Sequence, residues 1–216
     1  MNVLVVGASR GSGAAAVRAL AQAGHLVTAY ARSAPVEVDS DAVRNVAGDV
    51  LDDDALAKAM VGQDAVVVSL GISDNPLRVL LLRRASTPLD VRSRGTAKVI
   101  DAMRAAGVRR LIVQSTYGIG ETYRKLPLSL KFFLSVVIRP QVADHVRQEA
   151  LVRNSGLDWT VVRSVVLHDV ATEAPAKVDL EDHVASWKVS RGQLARVLAQ
   201  AVDRDDWHGR TLSVSA

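Results

Sequence analysis

Three glycines in the run Gly7-Ala8-Ser9-Arg10-Gly11-Ser12-Gly13 follow an apolar stretch at 3–6 and precede an alanine-rich stretch of helical character. Glycines at that spacing allow a tight turn, let the backbone approach a pyrophosphate, and let helix and strand pack closely. The helix start then offers unfilled N–H groups and the positive end of its dipole to phosphate oxygens. Glycine clusters also make plain turns, so the context matters. Between a strand and a helix, the run reads as a dinucleotide-binding loop with Gly7, Ser9, Arg10, Gly11, Ser12 and Gly13 as its cofactor residues.

The end of the second strand separates the two nicotinamide dinucleotides. An acid there accepts from the adenosine ribose hydroxyls of NAD, whereas a cation accommodates the 2′-phosphate of NADP. The chain has Tyr30-Ala31-Arg32-Ser33, with no acid before Glu37. Arg32 therefore reads as the 2′-phosphate ligand, with Arg10 as a second cation and Ser33 as a hydroxyl donor. The plainer alternative is a solvated arginine at a strand end, but a guanidinium takes phosphate through two parallel bonds, which favours the first reading. Asp49, in Gly48-Asp49-Val50, is placed to accept from the adenine amino group while Val50 packs on the ring; its alternative is helix initiation, a need that Asp52 to Asp54 already meet. Leu70-Gly71 reads as backbone lying against the cofactor, or as an ordinary turn. NADP(H) is the expected cofactor.

Such residues need a scaffold that gathers strand ends. Apolar runs at 3–6, 26–31, 43–47, 65–70 and 111–115 alternate with helical patterns at 12–23, 52–60 and 90–106, several of them stopped by a glycine. This alternation predicts strand-helix-strand units around a parallel sheet. The segment 117–140 reads as the least regular, a loop, with 142–154 as a helix and 159–163 as a sixth strand. A tail follows, irregular to about Val189, then a helix at 191–202 and a strand at 211–214. The expected fold is α/β: a doubly wound, Rossmann-type parallel sheet in three αβα layers, one domain over 1–216.

Composition narrows the classes. The 216 residues suit one domain, and 49% hydrophobic with 23% charged residues exclude a disordered, collagen-like or coiled-coil chain. With two Phe, three Tyr and three Trp, the core must be built from Val, Leu, Ile and Ala, which suits a sheet buried on both faces. The absence of cysteine excludes a disulfide scaffold, a thiolate zinc site and a cysteine nucleophile. A formal charge of +4 is spread in pairs such as Arg83-Arg84 and Arg109-Arg110, so no nucleic-acid partner is expected. The longest apolar stretch, 126–138, is about 13 residues and contains Lys131, short of the roughly 20 that span a bilayer. Met1-Asn2 runs straight into the first strand without a signal-peptide pattern, so a cytoplasmic monomer or small homo-oligomer is expected. His168-Asp169 has no further ligands at suitable spacing, so no metal is expected, and no Gly-x-Ser-x-Gly elbow points to hydrolysis.

Taken in order, the glycine loop, Arg32, Gly48-Asp49-Val50 and the run from Arg110 to Thr116 resemble the atypical, NmrA-like branch of the short-chain dehydrogenases/reductases. The runs from Ala143 to Glu149 and from Ser155 to Arg163 carry the likeness further, toward the group of biliverdin-IXβ and NADPH-dependent flavin reductases. The resemblance covers nearly the whole chain. It implies NADP lying across the carboxyl ends of the strands, with Ser115 and Thr116 beside the nicotinamide. His145 falls where the main branch of the superfamily has the lysine of a Tyr-x-x-x-Lys pair, and Gln141 stands at the tyrosine position. The usual proton donor is thus missing, with Tyr117 and Tyr123 as nearby substitutes. His145 itself reads as a nicotinamide-ribose contact or as a packed helix residue.

Two functions follow. One is hydride transfer from NADPH to a flat conjugated acceptor such as a flavin, a linear tetrapyrrole or a quinone, held by the loops 117–140 and 164–189. This chemistry needs ring alignment more than a strong protein acid. The other is a regulator that binds NADP without turnover and docks a protein on the apolar segment from Leu126 to Leu134.

Overall fold

Val3, Leu4, Val5 and Val6 are all closed to solvent, as a strand covered on both faces requires. They belong to β1 (Asn2–Val6) in a computed structural model that describes residues 1–32, 36–38, 40–71 and 87–216. Ser33 and the stretch holding Pro76 and Arg83-Arg84 lie outside the described residues. β1 pairs in parallel with β2 (Leu26–Ala31) on one side and β4 (Ala65–Val68) on the other. β3 (Val43–Ala47) extends the sheet beyond β2, and β5 (Arg110–Thr116) and β6 (Asp158–Ser164) extend it beyond β4, all in parallel.

Successive residues of β1 face opposite layers. Val3 and Val5 pack with Val17 and Leu20 of α1 (Gly11–Gln22) and with Leu194 and Leu198 of a late helix. Leu4 and Val6 pack with Leu56 and Met60 of α2 (Asp53–Met60) and with Val99 and Met103 of α3 (Val91–Ala106). The three-layer, doubly wound reading therefore holds. Among the described residues the main sheet has eight strands, six of them in the order β3-β2-β1-β4-β5-β6 and two more beyond β6.

Four expectations need correction. β4 stops at Val68 rather than at 70; Ser69 N still donates to Val6 O at 2.9 Å before the chain leaves the sheet. The segment 117–140 is not a plain loop: it holds a 3-10 turn at Gly120–Lys125, the short α4 (Leu128–Phe132) and a π-helical turn at Phe133–Val137. α5 (Arg139–Arg153) then starts before the expected 142, with Pro140 in its first turn, where a missing N–H costs nothing. The tail carries three strands of three residues each, β7 (Val166–His168), β8 (Lys177–Asp179) and β9 (Lys188–Ser190), too short for alternation to show in sequence. β7 and β9 form a small parallel sheet of their own. α6 (Arg191–Asp203) opens on a reciprocal cap between Ser190 and Gln193, and β10 (Arg210–Ser215) inserts between β6 and the antiparallel β8. Among the described residues no helix is long and apolar enough to cross a membrane.

The glycine loop shows why glycine is needed. Gly7 has φ +89°, and a Cβ there would stand 2.5 Å from Ser69 O. A Cβ on Gly13 would stand 2.1 Å from Gly7 O, so the first turn of α1 rests on the loop backbone. Gly13→Ala should therefore lower the urea midpoint by the equivalent of at least about 1–3 kcal/mol, the usual cost of overpacking. A midpoint equal to that of the wild type would show that the loop relaxes freely.

Candidate functional site

The chain leaves β1 for β2 and β3 on one side and then crosses back to β4 on the other, so the direction of winding reverses between β1 and β4. Ligands of doubly wound sheets sit in the crevice at the carboxyl ends of strands at such a point. A cleft of about 630 Å³ opens there. Gly7, Ser9, Arg10, Gly11 and Ser12 line it, while Gly13 serves the packing just described. The first turn of α1 holds no acid, and Arg10 at its cap position makes no capping side-chain bond. The positive end of this helix therefore faces the cleft with no counter-charge in its own first turn.

The β2 and β3 ends form one wall. Arg32 lines the cleft, its Nη2 donating to Thr87 Oγ1 at 2.9 Å. Asp49 also lines it, but its Oδ1 accepts from Leu51 N at 3.0 Å and its carbonyl accepts from the Tyr30 hydroxyl at 2.8 Å. Burial first, then Asp52 and Asp49, pushes the Tyr30 phenol up to about 12. Val50 is buried against α3 where Gly95 leaves room, and Leu70 and Gly71 complete the wall. On the floor, Ser69 Oγ donates to Gln114 Oε1 at 2.6 Å and Gln114 Nε2 donates to Ser12 Oγ at 3.2 Å. That chain ties β4, β5 and the start of α1 together.

The far end is built by β5, α5 and α3. Ser115 Oγ donates to Glu149 Oε1 at 2.7 Å, and Arg163 holds the same carboxylate, Nε to Oε1 at 2.9 Å and Nη2 to Oε2 at 2.7 Å. Ser115 is thus committed behind the strand. Thr116 makes only a 3.2 Å bond to its neighbour's carbonyl, and both hydroxyl residues line the cleft. His145 lines it too, one helical turn before Glu149, with its Nδ1 buried and without a hydrogen-bond partner. Burial, and then the Arg92 charge, holds the imidazole well below its ordinary value, so it is neutral at pH 7. The adjacent Asp144 is fully buried and caps another helix. Its carboxylate accepts from Arg92 N at 3.0 Å, Ser93 N at 3.1 Å and Ser93 Oγ at 2.5 Å, satisfying the first turn of α3.

Leu126, Leu130, Phe133 and Leu134 form an apolar side of the cleft, facing Trp187 and Leu167 from the tail. Tyr117 lies here as well, but its hydroxyl donates to Asp182 O at 3.0 Å and its ring meets Trp187 edge-on at 6.0 Å. The Tyr123 hydroxyl pairs with Ser135 at 2.8 Å, and neither Tyr123 nor Gln141 lines the cleft. His168 Nδ1 accepts from Val170 N, while Asp169 pairs with Arg191 at 2.6 Å, so those two side chains do not converge. Sequence reading missed Arg92, Gln114 and Arg191 as cleft residues.

A family model described as NAD(P)H-binding matches residues 7–205, and the chain belongs to that family. It is 37% identical over 121 residues to a 3-diazoavenalumate denitrifying reductase from a Streptomyces species, a match covering 53% of this chain and 38% of that one. The chain spans less than half the length of the curated relatives it matches. A short-chain dehydrogenase/reductase from Veillonella parvula, solved in complex with NADP, shares the fold at TM-score 0.77 and 18% identity over 100% of this chain and 94% of that one. An anaerobillin reductase from Escherichia coli O157:H7 does so at TM-score 0.74 and 20% identity over 100% and 97%. The nicotinamide-dinucleotide-binding reading therefore holds at the level of family, and the fold expected from the motifs is the one these solved structures share.

The buried imidazole has a measurable consequence. Unfolded His145 takes a proton near its ordinary 6.5, whereas the folded side chain resists it to well below that value. The folded state therefore binds fewer protons below pH 6.5 and loses stability as the pH falls. His145→Gln should remove up to about 1 kcal/mol of the decline between pH 6.5 and 5.5, read as urea midpoints of variant and wild type. Parallel pH profiles would show that His145 titrates normally in the folded chain.

Proposed function

We propose that the chain is an NADPH-dependent reductase that passes hydride to a flat conjugated acceptor such as a flavin, a linear tetrapyrrole or a quinone. The observation that carries this reading is the continuity of one cleft from the glycine loop to an apolar chamber in which no acidic hydroxyl is free. The residues fit a dinucleotide: a helix start with no counter-charge in its own first turn, a backbone cradle that a side chain would fill, and Arg32 and Arg10 at the cleft. Gly7 to Ser12 hold the pyrophosphate, Arg32 and Arg10 the 2′-phosphate, and Asp49 and Val50 the adenine, with Leu70-Gly71 along the ribose side.

Bound NADPH supplies the hydride. Thr116 and neutral His145 orient the nicotinamide end, and Ser115, committed to Glu149, keeps the β5 end in place. The chamber walls from 117–140 and 164–189 stack the acceptor and exclude water. With the Tyr117 hydroxyl donating to a backbone carbonyl and its phenol raised by burial, first, and by Asp182, the chain offers no tyrosine acid. That suits an acceptor whose own ring system stabilises the added electrons. The reductase names of the Streptomyces and Escherichia coli relatives support the reaction class.

A second reading, a redox-sensing protein that binds NADP without turnover, draws support from the solvent-facing Leu128, Phe132 and Val136 on the outside of the chamber wall. The two readings part in one assay, NADPH oxidation followed by loss of nicotinamide absorbance with FMN, FAD, a quinone or biliverdin. Turnover with at least one acceptor is expected; binding of NADPH with no turnover would favour the sensor. Arg32→Ala should weaken NADPH binding roughly tenfold or more and NADH binding far less, since a charge-assisted pair is worth about 1.5–3 kcal/mol. Equal losses for the two cofactors would remove Arg32 from the 2′-phosphate.

A further inference from the structure

Arg92 is the second residue of α3, and its side chain is 8% exposed yet lines the cleft. Its Nε and Nη1 are closed to solvent and have no hydrogen-bond partner. The carboxylate whose charge acts on it, Asp144, is spent on the Arg92 and Ser93 main-chain N–H groups and the Ser93 hydroxyl. Asp144 thus supplies a counter-charge without satisfying the guanidinium. Burial draws the Arg92 guanidinium down while Asp144 draws it back up, so it stays charged. A buried cation with open donors is costly, and a native chain tolerates it where a ligand completes the bonding.

The surroundings say what kind of ligand. A Cβ on Gly71, at the end of the β4 wall, would stand 3.9 Å from Arg92 Nη2, so the guanidinium borders the cofactor side of the cleft. On the acceptor side lies His145, neutral, with its own buried and unpartnered Nδ1. Among the described residues Asp144 is the acid whose charge acts on the guanidinium, and its bonds go elsewhere; a planar fork of N–H donors matches a carboxylate or phosphate edge.

We propose that Arg92, with His145 beside it, forms an oxyanion subsite separate from the glycine loop and from Arg32, filled either by a phosphate oxygen of the dinucleotide or by a carboxylate of the acceptor. The subsite deepens the reductase reading and rests on the same cleft. It assigns a charge preference to a chamber that is otherwise apolar.

The test uses Arg92→Met, which keeps the length and removes the charge, and Arg92→Lys, which keeps the charge and removes the fork. Without ligand, Arg92→Met should be at least as stable as the wild type, because it relieves an unsatisfied buried cation; a structural arginine would give a lower midpoint. The thermal unfolding midpoint should rise with added acetate for the wild type and not for Arg92→Met, acetate being a carboxylate too small to need the glycine loop. If the phosphate fills the subsite, the Kd for NADPH rises roughly tenfold in Arg92→Met. If the acceptor fills it, the NADPH Kd holds, and the ratio of kcat/KM for biliverdin, which carries carboxylates, over a neutral quinone falls by a similar factor. In either case Arg92→Lys recovers only part of the loss. A Kd and a kcat/KM ratio both within twofold of wild type, or a folded Arg92→Lys with undiminished anion response beside a destabilised Arg92→Met, would overturn the subsite. Absence of any NADPH binding by the wild type would instead strike the cofactor reading, with the acetate shift still reporting on Arg92.

Discussion

Arg163 and Glu149 meet through two bonds of 2.9 and 2.7 Å in a place where the arginine is 2% and the glutamate 4% exposed. Removing two charges from water costs several kcal/mol each, and only near-ideal geometry offsets that cost. The geometry is supplied by three elements at once: Arg163 from β6, Glu149 from α5 and Ser115 from β5. Arg163 also reaches Glu121 of the 3-10 turn at 2.7 Å and lies 4.0 Å from Asp182 in the tail. One guanidinium therefore ties β6, α5, the 3-10 turn and the tail together behind the far end of the cleft. If either partner moved, the other would be left buried and unpaired, so the arrangement has little freedom to drift.

The cofactor half rests on different physics. There, backbone approach does most of the work, through a glycine loop laid on β4 and a helix turn laid on the loop. Side-chain hydrogen bonds from Ser69 through Gln114 to Ser12 lock the same three elements from within. Steric contact governs one end of the site and buried charge the other. That division suits a ligand with a constant phosphate body and a partner whose shape differs from one acceptor to the next.

Much of the cofactor half was legible because its signals are local. Strands β2 and β3 fall on the bounds expected from their apolar runs, and Gly24 and Gly107 follow their helices as expected. What escaped notice depends on residues far apart in sequence. Asp144 looked like part of a helix motif, yet it caps a helix about 50 residues earlier, and nothing in its own neighbourhood announces that. Arg92 reads in sequence as one of several scattered basic residues; only its burial, which the fold decides, makes it chemically unusual. Ser115 and Thr116 were read as a pair of equal hydroxyls, and the partner that distinguishes them sits on another element. The tail strands were missed for a simpler reason, since three residues cannot display a period of two.

β8 precedes β10 in the chain but lies outside it in the sheet, and its registered pairing is with β10 alone among the described residues. It has no edge to join until β10 has closed on β6. Asp182, three residues beyond β8, sits at φ 61°, an uncommon conformation for a residue other than glycine, and accepts the hydroxyl of Tyr117. The tail that carries Asp182 is thus fastened through a pairing that waits on β10, the last strand of the chain, and through a bond to Tyr117 that spans 65 residues. Long-range contacts of this kind close slowly. Local opening that breaks the β8–β10 pairing would release the tail and, with it, the Trp187 side of the cleft mouth.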